Sequence, residues 1–190
     1  MTPATTHSDI AWAAEGWMRG LGTGPLAELR RMTSELPAPA AWHLIALHNI
    51  GPGDRALWCE AFRLMAALIP RGDPKTRPDA KRRVRLGEAL ADGADERWQP
   101  ERDSNGEAIP LVSQARMQQL LAARGSARVD LLSRACSMIG RALPPGTGIR
   151  PDDIAAALLH PEDSARLAHP YYRRLVVLPR DAAAQKDNDA

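Results

Sequence analysis

"DRALWCEAFRLMAALIP", Asp54 to Pro70, is the stretch that decides the fold class. Leu57, Ala61, Met65 and Leu68 recur every three or four residues as one apolar stripe, while Arg55, Glu60 and Arg63 fall off it. That is the period of an α-helix. Pro70 ends it, because proline has no amide donor and its ring clashes with the preceding turn. Working outward, the same period recurs and no run alternates convincingly at period two.

Upstream, "PAPAAWHLIALHNI" stops at Gly51–Gly53, "LAELRRMTSEL" follows the break "GTGP", and Ser8 reads as the cap of a first helix running through Arg19. Downstream, Ser113 reads as the cap of "SQARMQQLLAARG", followed by "SARVDLLSRACSMIGRAL", the break "PPGTG", "RPDDIAAALLH" and "PEDSARLAHPYYRRLVV". The expectation is an all-α fold of eight or nine short antiparallel helices in two small packed bundles, residues 8–94 and 113–178. Between them, 95–112 reads as an acidic linker or insertion carrying Trp98, and 179–190 as a disordered tail.

A chain of 190 residues with 44% hydrophobic and 25% charged residues is long enough and apolar enough to bury a core. Cys59 and Cys136 sit far apart on apolar helical stretches, as reduced core residues do. No early apolar run resembles a signal peptide and nothing approaches a membrane span, so a soluble, cytoplasmic protein without a membrane role is expected.

Catalytic signals are missing. The five histidines are scattered, and His43 and His48 lie on different faces of their helix. Asp152 and Asp153 stand at a helix start, where carboxylates suit the macrodipole. "GLGTGP" resembles a phosphate-cradling loop, but no strand precedes it and Pro25 removes a donor, so it reads as a turn. No nucleophile stands in a known pattern, and neither an enzyme, a metal nor a cofactor is expected.

Charge distribution is more informative. Net charge is only +2, yet residues 71–85 hold seven cations against Asp73 and Asp79, and 113–142 hold five arginines against Asp130 alone. Lysines number only three among 25 basic residues. Arginine pairs phosphate in a bidentate fork and stacks on bases, although a GC-rich genome produces the same bias. Separation of signs within a near-neutral chain suits a phosphate-binding groove, and it suits solvated helix faces equally. The sharpest cluster is Lys81, Arg82, Arg83 and Arg85 in "KRRVRLGEALADG".

Three segments in order resemble the small subunit of the type I-E CRISPR Cascade complex, the CasB family. "AELRRM" (Ala27–Met32) is similar to its early helix with a paired arginine. "RLGEALADG" (Arg85–Gly93) is similar to its leucine-glycine and Ala-Leu-Ala helix, and "SQARMQQLLAARG" (Ser113–Gly125) to its following Leu-Leu segment. In the family only a few residues separate the last two, whereas here the acidic segment intervenes. The resemblance covers roughly residues 10–178. It implies a non-catalytic helical subunit, usually in two copies, that contacts the backbone and large subunits and helps hold guide RNA, target DNA and the displaced strand. It carries phosphate contacts onto Arg30, Arg31, Arg85, Arg116 and Arg124. Lys81, Arg82, Arg83, Arg128 and Arg134 rest on charge clustering alone. Gly87, Ala89 and Ala91 are expected to serve close helix packing. Two other readings stand beside it: a helix-turn-helix regulator with Gln118 and Gln119 reading bases, and a purely protein-binding helical adaptor.

Overall fold

The computed structural model describes residues 6–98 and 101–186, with side chains within the last helix described to Val176. Among these residues the fold is helical: α1 (His7–Arg19), α2 (Thr23–Arg31), α3 (Pro39–Leu47), α4 (Arg55–Leu68), α5 (Leu86–Asp92), α6 (Gln114–Ala122), α7 (Gly125–Ala142), α8 (Pro151–Leu159) and α9 (Ala165–Lys186). Helix α4 is the hub the periodicity predicts. Ala61, Met65 and Leu68 are buried, and Trp58 and Phe62 beside them fill its centre. Around it pack α2 and α3 on one side and α7 and α8 on the other, while α1 lies on α8 and α5 on α9.

The two expected bundles share one core. Apolar side chains from Ile10 to Tyr171 form a single cluster, because α1 and α4 bury their stripes against α7 and α8 from beyond the acidic segment. That segment is a surface excursion tied down at both its turn and its exit. The Asp103 carboxylate accepts the amides of Asn105 and Glu107 at 2.9 Å, and the amides of Leu111 and Val112 donate to Ala91 and Leu90 of α5 at 2.8 and 2.9 Å. Residues 99 and 100, within the predicted linker, lie outside the described residues.

Two short strands accompany the helices, the first of them within the cationic stretch "KRRVRLGEALADG". β1 (Arg82–Val84) and β2 (Thr147–Ile149) pair in parallel, with Val84 opposite Ile149. Each strand leads into a helix, and Asp153 of α8 accepts the Leu86 amide of α5 at 3.1 Å, so the two helix starts are fastened together. Gly148 is required at this junction, since a Cβ there would lie 2.7 Å from that of Ala80.

Helix ends also differ from expectation in places. The first cap is Thr6, two residues ahead of Ser8, because its hydroxyl accepts the Asp9 amide at 3.2 Å and Asp9 reaches back to its amide at 3.0 Å. Ser113 caps α6 as predicted. The predicted tail begins inside a helix: α9 continues to Lys186, and residues 187–190 lie outside the described residues.

Candidate nucleic-acid interface

The candidate site is built where α4 stops. A helix ending at Leu68 leaves carbonyls without intrahelical partners. Arg30, in the last turn of α2, supplies the missing donors: its Nε donates to Ala66 O at 2.9 Å and its Nη2 to Ile69 O at 2.8 Å. These acceptors are neutral, so they fix the guanidinium and leave its charge uncancelled. Burial, then the nearby Arg71 and Arg77, push the Arg30 pKa below its ordinary value.

Arg77 is held the same way. It is 8% exposed, and its guanidinium donates to the carbonyls of Arg19, Leu21 and Gly72. Burial first, then Arg19, lower its pKa, with Asp73 opposing. Gly72 adopts φ 119°, a conformation open to glycine, which lets the 70–80 loop fold over Arg77.

Two adjoining cavities open on this frame. A groove of about 810 Å³ runs between the end of α4 and the last turns of α7, lined by Arg30, Arg71, Arg141, Ser137 and a floor that includes Leu68, Pro70, Leu143 and Pro144. A chamber of about 380 Å³ lies along α2, lined by Thr23, Arg30, Arg31, Arg71 and Arg77. Both share Arg30 and Arg71, and no Asp or Glu lines either. Arg134 lies two turns before Arg141 on α7, seven residues and so about 10 Å along the same exposed face.

Of the ten arginines and lysines predicted from sequence, the cavities take Arg30 and Arg31. Arg128 is excluded: it is 2% exposed, with its guanidinium donating to Ala157 O and Leu120 O between α7, α8 and α6. Arg83 is spent on a two-point pair with Glu15 at 2.8 and 2.9 Å, and its guanidinium lies over Trp12. Arg82 pairs with Glu96 at 2.8 Å and donates to Ala94 O. Arg124 turns back on the end of α6, donating to Leu121 O and Ala123 O at 2.8 Å. Lys81, Arg85, Arg116 and Arg134 are exposed outside the two cavities. Gly87, by contrast, serves packing as expected: a Cβ there would lie 2.3 Å from Leu167 O of α9.

Sequence reasoning passed over Arg71, Arg77 and Arg141. All three belong to the two basic clusters, so charge counting contained them. Proximity to "AELRRM" in space, through the end of α4, is the fact the linear chain hides. Opposite the groove, a smaller cleft lined by Arg82, Glu88, Asp92, Arg173 and Arg174 mixes signs, and Arg174 is paired with Asp92 at 2.5 Å. Among the described residues no cluster of three His, Cys, Asp or Glu side chains that could hold a metal ion forms. No helix among them is long and apolar enough to cross a membrane.

Comparison with known proteins adds no neighbour: no family model, no curated protein and no solved structure matches this chain.

Proposed function

We propose that this chain is a non-catalytic, nucleic-acid-binding subunit that grips a strand by its phosphates without reading bases. The observation that carries the reading is the convergence of Arg30, Arg31, Arg71, Arg77 and Arg141 on two adjoining cavities that no carboxylate lines. Arg30 and Arg77 are pinned by carbonyls of other segments, while Arg31, Arg71 and Arg141 are exposed, Arg31 donating to Ala27 O of its own helix. No aromatic side chain lines either cavity, so stacking is not the source of affinity and phosphate contact is.

The assembly we propose is a type I-E RNA-guided complex, on the strength of the ordered segments "AELRRM", "RLGEALADG" and "SQARMQQLLAARG". In such a complex base pairing reads sequence, so a subunit that holds only backbone suffices. Because R-loop formation is near energetic balance, a modest grip tips it. Guide RNA, target DNA, the backbone and large subunits and a second copy are the partners this reading assigns.

Fluorescence anisotropy with a labelled single strand tests it. Five arginine contacts should give a log–log salt slope of roughly 3 to 4, at about 0.7 per phosphate. The variant Arg31→Glu/Arg71→Glu/Arg141→Glu should lose binding while keeping its circular dichroism and melting temperature. Undiminished binding by that folded variant sinks the site. Membership in the complex is tested separately, by affinity capture of the tagged chain from its host. A co-purifying guide-RNA ribonucleoprotein supports it, and recovery of the chain alone counts against it.

A further inference from the structure

The chamber along α2 differs from the groove beside it in the number of cations that line it. Four guanidiniums line it, those of Arg30, Arg31, Arg71 and Arg77, in a volume of about 380 Å³. Arg30 and Arg77 cannot swing away, since five backbone carbonyls hold them. Arg77 is more than nine-tenths buried, and its Nε–H has no partner among the described residues. The same wall carries the start of α2. Its cap is Gly22, which offers no side-chain acceptor, and its first turn holds no acid, so nothing negative stands at this end of the wall. The Thr23 hydroxyl is also on the chamber wall. Every charged side chain here is a cation, and the carbonyls of Ala27 and Gly72 on the wall already accept from Arg31 and Arg77.

We propose that this chamber is a phosphomonoester site, taking a terminal phosphate dianion in preference to an internal phosphodiester. The argument is one of charge density. A bridging diester carries a single negative charge, whereas a monoester carries about −1.5 to −2 at neutral pH and offers three acceptor oxygens. Four cations lining one cavity without a carboxylate are better matched by the second. The carrier is either the 5′ end of a nucleic-acid strand or a free nucleotide. Assigning it to a strand end rests on the strand-binding reading above, while the anion chamber itself does not.

The test uses the full chain and two labelled oligonucleotides of one sequence, one 5′-phosphorylated and one 5′-hydroxyl, with AMP and inorganic phosphate as competitors. The phosphorylated strand should bind about tenfold more tightly, the worth of one or two charge-assisted hydrogen bonds. Arg71→Gln, whose side chain is exposed and has no hydrogen-bond partner among the described residues, should erase that difference. Arg141→Gln, in the groove, should weaken both oligonucleotides alike and keep the difference. Thermal stabilisation by AMP that depends on Arg71, with no effect of the 5′ group on strand binding, supports the chamber and assigns it a free nucleotide. Equal affinity for both strands together with no Arg71-dependent response to AMP or phosphate overturns the proposal, even where strand binding itself persists. Loss of all strand binding in the wild type with an intact AMP response would overturn the strand-binding function and leave the chamber standing.

Discussion

The first turn and the last turn of α7 put the same residue to opposite uses. Arg128 enters a cage of helix-end carbonyls and is 2% exposed, whereas Arg141 stands exposed over the groove. The same split runs through the 71–85 cluster of the sequence. Around β1, Arg82 and Arg83 meet Glu96 and Glu15 and become internal ties between distant segments. Around the end of α4, Arg30 and Arg77 meet only carbonyls, and Arg71 and Arg141 meet solvent. A carboxylate cancels the charge and a carbonyl merely anchors it. Local charge density is therefore a poor guide to an anion site, and the kind of acceptor facing each guanidinium is a good one.

That contrast breaks first at Arg128. Arg128→Ala strips donors from Ala157 O and Leu120 O and opens a cavity beneath α7, so a loss of about 3–5 kcal/mol is expected. Urea unfolding measures it, and a loss below about 1 kcal/mol would mean that the cage is not structural. Next comes Gly87→Ala. Its new methyl would meet the backbone of α9 at Leu167 and force α5 and α9 apart, for about 3 kcal/mol. Arg83→Gln, which leaves Glu15 with Arg19 as its remaining cation, should cost roughly 1 kcal/mol. The three variants at the exposed cavity rims, at Arg31, Arg71 and Arg141, should each change stability by less than about 0.5 kcal/mol. The two classes of arginine thus separate on one unfolding assay.

Some of this was legible in the chain. The α4 stripe, the Ser113 cap and the small residues of "LGEALA" each depend on neighbours within one or two turns, and local pattern predicts them well. The strand pair was not legible. Three residues are too few to show a period of two, and the partners Arg82 and Thr147 lie 65 positions apart. Arg83 and Glu15 are 68 positions apart, so nothing near Arg83 announces its pairing. Arg77 stands in a proline-rich loop that reads as solvated, and only the approach of the α1–α2 turn buries it. Of the candidate site, the paired arginines of "AELRRM" were legible. The rest of the basin was not, because α2, the 70–80 loop and α7 meet there only through the end of α4.

Cys136 gives an effect confined to alkaline pH and a sensitive probe of the groove. It sits on α7 between Arg134 and Arg141 and borders the groove while remaining 1% exposed. Burial pushes its thiol up to about 12, with Arg63 only weakly opposing. Below the pKa of the unfolded thiol both states are neutral and the residue does not bear on stability. As pH rises further, the unfolded chain loses its proton first. Stability should then fall, from about pH 9 towards 12, by up to about 1.4 kcal/mol per pH unit, and Cys136→Ala should flatten that slope. At pH 8 the folded protein should alkylate at Cys136 at least about 100-fold more slowly than the urea-unfolded chain, because a buried thiol offers almost no thiolate. The comparison sharpens when a strand is added. A preformed groove, with Arg30 and Arg77 already pinned, needs no rearrangement to bind, so labelling should stay equally slow in the complex. Faster labelling on strand addition would show that binding pries α7 from α4, and the pinned floor would then be a closed state rather than the binding one.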